Sequence, residues 1–160
     1  MHMFDQILDL PAHPLIIHAA VVFTPLLVLL SIAYVVLPAF RRRLDWALVV
    51  AAIAAPAAVF AAKESGEALE ARLFKGQIPP PVVEHSSFAN PLLYTTLGLG
   101  VVALVLVYLT RPHREPGTAP AGSARAVSLV LSVVTVVLAL VVAYYVFRAG
   151  DSGARAVWAY

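Results

Sequence analysis

Four long stretches of this chain contain no Asp, Glu, Lys or Arg, and they limit the fold more than any other feature. They are residues 15–37, 46–62, 91–109 and 126–147. Each is close to the roughly 20 apolar residues that an α-helix needs to cross a hydrocarbon core about 30 Å thick. Transmembrane β-barrels instead need alternating segments of about 10 residues, and none of these runs alternates. The sequence therefore predicts an all-α fold, an integral membrane four-helix bundle.

Composition supports the same fold class. The chain is 61% hydrophobic and 12% charged, whereas soluble domains are about 25% charged. The formal net charge of +2 would suggest nucleic acid in a soluble protein, but the basic residues here lie between the apolar runs. We therefore expect the lipid bilayer, and no nucleic acid, as a partner. The chain has no cysteine, which excludes disulfides, thiolate metal sites, iron–sulfur clusters and covalently attached haem.

Helix boundaries follow from the runs and their flanking residues. The second run continues into a charged pattern of helical period, which Gly76 and the Pro79–Pro81 segment should end. No internal repeat is evident. We predict a single transmembrane domain over residues 1–160, with an outer loop at 64–90 and a flexible cytoplasmic link at 110–125. Its helices are expected at about 14–38, 45–63 with an extension to 75, 82–110 with a kink at 91, and 124–148.

Arginines set the predicted orientation. Arg41–Arg43 lie between the first two helices, and Arg111, Arg114 and Arg125 lie between the last two. Lysine and arginine favour the cytoplasmic side, and short early loops usually dominate. We therefore predict a multi-pass membrane protein with both termini outside.

Polar residues gather at one predicted face. Successive helices run in opposite directions, so the start of the first, the end of the second, the start of the third and the end of the fourth share the outer side. These positions carry three of the five histidines and four of the nine acidic residues. They are His13, His18, Glu64, Glu67, Glu84, His85 and Asp151.

His18 is the most distinctive of these residues, because it lies about one turn inside the first helix. An ionisable side chain there usually faces the bundle interior. Imidazole is an axial haem ligand, and His18 with His85 would form a bis-histidine site for haem b. His13, just before Pro14, would fold back toward the same cofactor-binding site.

Two alternatives remain open at this point. A mononuclear transition metal such as zinc, copper or iron would be held by His13, His18, His85 and Glu64, whose side chains suit those ions. A site without any cofactor is the other alternative, with His18 simply hydrogen-bonded to a backbone carbonyl or a glutamate.

Charged neighbours would support either kind of site. Glu64 and Glu67 share a helical face, which suits a metal or a proton relay. Arg72 would pair with haem propionates or with lipid headgroups. Glu84 and Asp151 add carboxylates at the same face. No nucleophile–base signature, phosphate loop or dinucleotide fingerprint is present, so we do not expect an enzyme on its own.

Four segments carry a family resemblance. They are residues 10–20 (LPAHPLIIHAA), 63–68 (KESGEA), Glu84-His85, and 150–158 (GDSGARAVW). Together they resemble the motifs of a bacterial membrane family called domain of unknown function 2231, which implies four transmembrane helices in a bacterial inner membrane. Many relatives carry histidine at the position of Asp151, so a ligand from the fourth helix is less supported here. Some relatives are joined to redox modules such as Rieske-type domains, which implies electron transfer.

The leading hypothesis is therefore a haem b or metal-binding redox component in the membrane. The alternative is a non-catalytic structural subunit, whose outer loop and 158–160 tail would bind a redox partner, another membrane subunit or a second copy. A solute or proton pathway through Glu64 and His18 is a weaker hypothesis, because the middles of the helices contain no ionisable residue.

Overall fold

A computed structural model of the chain describes residues 6–7, 10–111 and 122–158. Two short strands, β1 (Gln6–Ile7) and β2 (Leu10–Pro11), form an antiparallel pair ahead of the helices. The helices are α1 (Ala12–Val36), α2 (Arg41–Phe74), α3 (Pro80–Ser87), α4 (Ala89–Thr110) and α5 (Gly122–Trp158), and a 3₁₀ turn (Pro38–Phe40) precedes α2. Most of the predicted link at 110–125 lies outside the described residues.

The predicted all-α membrane architecture is confirmed. Within the described ranges, four helical segments are long and apolar enough to cross a membrane: Ala12–Val36, Pro38–Phe74, Pro80–Thr110 and Arg125–Trp158. Large apolar side chains also cover the outside of the bundle, including Leu29, Val133 and Phe147. Such a surface is stable only against lipid, so the protein is a multi-pass membrane protein in contact with the bilayer.

The helices pack in the circular order α1, α2, α4, α5, with each one contacting its two neighbours. The interior is formed by branched apolar residues and by small ones, among them Leu27, Leu48, Leu99, Leu106, Ala55, Ala103 and Ala139. Small residues allow helix backbones to approach closely in a membrane, where packing rather than water exclusion drives association.

Two helices continue well beyond their apolar runs. α2 reaches Phe74 and then ends at Lys75 and Gly76, whose φ angles of 36° and 105° are left-handed. α5 continues to Trp158 rather than stopping near the predicted residue 148. An ion pair of 3.0 Å between Asp151 Oδ2 and Arg155 Nε, one helical turn apart, stabilises this added segment.

The third transmembrane segment is interrupted before its apolar run. α3 ends at Ser87 and α4 begins at Ala89, so the break falls at Phe88 and not at the predicted kink at residue 91. The short α3 packs against α5. It thereby carries His85 toward the end of the bundle where α1 begins.

Gly100 provides a test of the interface between α2 and α4. A Cβ atom added there would lie 2.7 Å from the backbone oxygen of Ala52, which cannot rotate away, whereas one added at Gly98 meets nothing within 4 Å. We expect Gly100→Ala to destabilise the bundle by about 1–3 kcal/mol. Gly98→Ala should be neutral or slightly stabilising. Unfolding in detergent would measure both, and equal effects would contradict this packing.

Candidate functional site

Two imidazole rings meet at the end of the bundle where α1 begins. His13 lies in the first turn of α1, and His85 lies in α3. Their ring centroids are 6.5 Å apart and their planes are inclined by 67°. We call the region formed by His13, Ser65, His85 and Ser152 the histidine end. It draws on the N-terminal part of α1, the extended part of α2, α3, and the extended part of α5.

The ring of His13 is held against α2. Its Nδ1 lies 3.0 Å from the backbone oxygen of Ala62 and 3.1 Å from Oγ of Ser65. The Ser65 hydroxyl is buried and itself donates to Ala62 O at 3.0 Å. A carbonyl oxygen can only accept, so the bond to Ala62 places the proton of a neutral ring on Nδ1. The Nε2 atom of His13 then carries a lone pair that suits a metal.

The ring of His85 is held in the same way against α5. Its Nδ1 lies 3.3 Å from Oγ of Ser152. The single hydroxyl proton of Ser152 is donated within α5, to Arg148 O at 2.7 Å and Ala149 O at 3.2 Å. With the hydroxyl proton used in this way, the serine oxygen accepts from His85, which places the proton of a neutral ring on Nδ1 and leaves the lone pair on Nε2.

A glycine follows each of these serines and lies directly beside the ring. A Cβ atom added to Gly66 would lie 3.1 Å from Cε1 of His13, and one added to Gly153 would lie 2.9 Å from Cε1 of His85. The distance at Gly153 is shorter than real Cβ contacts, and the distance at Gly66 is unusually tight. A side chain at either position would therefore push the neighbouring ring away from the helix surface.

The two halves of the histidine end repeat one short sequence pattern. Residues 64–66 (ESG) and 151–153 (DSG) each consist of an acidic residue, the hydrogen-bonding serine and the ring-contacting glycine. Sequence reasoning assigned roles to Glu64 and Asp151 but missed the serines and glycines. The repeated tripeptide is the one sequence signal for these serines and glycines. It is too short to be recognised as significant until the contacts with the histidines are known.

His18 lies away from this site. Its side chain is exposed, and its Nδ1 is 2.6 Å from the backbone oxygen of Pro14 in the same helix. Five positions along an α-helix correspond to a rotation of roughly 140°, so His13 and His18 point in different directions. The structure brings His13, and not His18, against His85.

The acidic residues of α2 are engaged elsewhere. Lys63 Nζ lies 3.2 Å from Oε1 of Glu64 and 2.7 Å from Oε1 of Glu67. In the part of the chain that the structure describes, no group of three or more histidines and carboxylates is placed to hold a metal ion. The predicted four-residue metal site from His13, His18, His85 and Glu64 is therefore not assembled.

The remaining predicted residues surround the site at a distance. Glu84 Oε1 forms an ion pair of 3.4 Å with Arg148 Nη2, and the Arg148 guanidinium lies 4.9 Å from the centre of the Phe88 ring. Asp151 pairs with a residue of its own helix, as described above. Arg72 is exposed in the last turn of α2. These charges flank the histidine pair without contributing a ligand to it.

Comparison with known proteins gives one finding about the family. The sequence profile of a family described as "Predicted membrane protein (DUF2231)" matches residues 9–160. No curated protein and no solved structure matches the chain. The matched range contains both imidazoles and both tripeptides of the histidine end.

Proposed function

Because the chain belongs to the DUF2231 family of membrane proteins, whose name gives no activity, we propose its function from the site: a membrane redox component in which His13 and His85 are the two axial ligands of haem b. One observation carries the proposal. The two ring centroids are 6.5 Å apart. Metal–imidazole bonds are about 2.0–2.1 Å long, as measured for zinc, so two rings at this separation could both hold one metal centre.

The number of ligands favours haem over a mononuclear metal. A bare transition metal ion needs three or four protein ligands, and the described residues bring together only two imidazoles, with no third histidine or carboxylate beside them. Haem needs only axial ligands from the protein, because its own ring nitrogens complete the coordination. A pair of histidines is one of the axial sets that haem proteins use.

The surroundings of both rings support the same proposal. Histidines that bind metals usually donate their second ring nitrogen to a carbonyl or another polar group, which fixes the orientation of the ring. His13 makes this bond to Ala62 O and Ser65, and His85 makes it to Ser152. Haem would supply reversible one-electron chemistry. The protein would orient the two Nε2 atoms and anchor the cofactor at the edge of the bilayer.

An absorption spectrum tests the proposal directly. We expect the protein, purified in detergent and titrated with haemin, to bind about one haem per chain, the number that one histidine pair can hold. A Soret band and a sharp reduced-minus-oxidised α-band would report six-coordinate iron. Elemental analysis of the same sample would detect other metals. A well-folded protein that neither contains haem nor binds added haemin would contradict the proposal.

A second candidate function is a non-catalytic membrane subunit. It is favoured by the hydrogen bonds of the two rings, which join α1 to α2 and α3 to α5 and so could serve only to fix the helix ends. In this case the histidines would contribute to stability and not to cofactor binding. Isolation of the intact membrane complex would then yield a stoichiometric partner protein or a second copy of the chain, without haem.

A further inference from the structure

The opposite end of the bundle contains a small basic pocket. It has a volume of about 260 Å³ and lies where α1 and α4 end and α2 begins. Its polar walls are formed by residues from all of these elements. They are Tyr34, Arg41, Arg42, Asp45, Thr110 and Arg111. We call it the arginine pocket.

The arginine pocket carries a net positive charge. Three guanidinium groups line it against one carboxylate, that of Asp45. Asp45 Oδ2 forms an ion pair of 3.2 Å with Arg111 Nε. The positive charges of Arg41 and Arg42 are then not balanced by another carboxylate among the residues that line the pocket. The first turn of α2, where the helix dipole also favours an anion, adds to this potential.

Hydrogen bonds fix the side chains at the floor of the pocket. Tyr34 is 1% exposed, and its hydroxyl donates to Oγ1 of Thr110 at 2.8 Å, since Thr110 donates its own proton to Leu106 O at 2.7 Å. Arg41 Nε donates to the backbone oxygen of Tyr34 at 3.0 Å, and its guanidinium lies 5.3 Å from the centre of the Tyr34 ring. Arg41 is therefore held in place before any ligand arrives, with further N–H groups left to donate.

The position of the pocket indicates which class of ligand would reach it. Val36, Arg41 and Thr110 mark helix ends, so the pocket lies at the depth of the lipid headgroups. Arginine recognises phosphate by paired N–H donors, and basic pockets between membrane helices bind anionic headgroups. We propose that the arginine pocket binds the phosphate group of an anionic phospholipid.

Arg42 and Arg43 provide a matched pair for the test. Both are exposed and adjacent in sequence, but only Arg42 lines the pocket, while the Arg43 guanidinium lies 5.9 Å from the Phe40 ring centre. Native mass spectrometry of the full chain in detergent would measure lipid binding. We expect phosphatidylglycerol to bind more tightly than phosphatidylcholine, and Arg42→Gln to weaken phosphatidylglycerol binding about fivefold. Arg43→Gln should bind it like the wild type, and Arg42→Lys should keep most of the affinity.

Competition with inorganic phosphate identifies the source of the phosphate group. Weak competition supports the phospholipid, whereas displacement by inorganic phosphate at comparable concentrations would overturn the lipid assignment and indicate a soluble anion. Equal binding of phosphatidylcholine and phosphatidylglycerol would overturn the proposal. An equal loss in Arg42→Gln and Arg43→Gln would also overturn it, because the effect would then come from general surface charge.

Discussion

Alanine at either His13 or His85 is expected to remove tight haem binding, whereas His18→Ala should retain it. Each of the first two substitutions deletes one of the two rings that lie 6.5 Å apart, while His18 is bonded to its own helix at Pro14. A five-coordinate haem held by one histidine would be weaker and would have a different spectrum. Haemin titration of the three variants, followed by reduced-minus-oxidised spectra, would measure the difference.

The same variants distinguish the redox proposal from a structural role. Thermal unfolding of each protein without haem would measure how much the hydrogen bonds to Ala62, Ser65 and Ser152 contribute to stability. We expect each lost bond to lower the free energy of unfolding by about 1 kcal/mol. If His13→Ala and His85→Ala bind haem like the wild type, the two rings are not its ligands. If His18→Ala alone loses haem, the ligand is the originally predicted His18 and the assignment of His13 is incorrect.

The second large effect is expected from Gly153→Ala. The added Cβ would lie 2.9 Å from Cε1 of His85, so the ring must move away from α5 and its bond to Ser152 must lengthen. Loss of a bond that orients a ligand histidine typically reduces metal affinity by about 10–100-fold. We expect a loss in that range for haem. A smaller loss is expected for Gly66→Ala, whose Cβ would lie 3.1 Å from Cε1 of His13.

Gly150→Ala is the matched control on the same helix. A Cβ atom there meets nothing within 4 Å, so haem affinity should remain that of the wild type. Combining Gly153→Ala with His85→Ala separates a local effect from misfolding: once the ring is absent, the added methyl group should cost little further stability. A large additional loss of stability in the double variant would show that Gly153 is needed for a reason other than His85.

The sequence was sufficient for the membrane fold, because each span is defined by an uninterrupted apolar run. It was less informative at helix ends. Hydropathy falls after residue 147, yet α5 continues, and the Asp151–Arg155 ion pair one turn apart favours the helix there. Hydropathy measures solubility in lipid and does not indicate whether a polar segment remains helical.

The site was predicted in part. Antiparallel connectivity indicated that histidines and carboxylates would share one end of the bundle, and His13 and His85 do lie together there. The choice between His13 and His18 required the rotation of α1 relative to its neighbours, which depends on packing. The serines could not be assigned either, because each acts on a histidine 52 or 67 positions away in the chain.

The two rings are held by different helices, and this has a consequence for biosynthesis. His13 is anchored by α2, whereas His85 is anchored by α5, which is synthesised after α1, α2, α3 and α4. A nascent chain with only its first two helices in the membrane presents one oriented imidazole, and the second is fixed only when α5 has docked. Cofactor loading would thus be a late event. On the proposed function, a chain that binds haem through both histidines must already have docked α5.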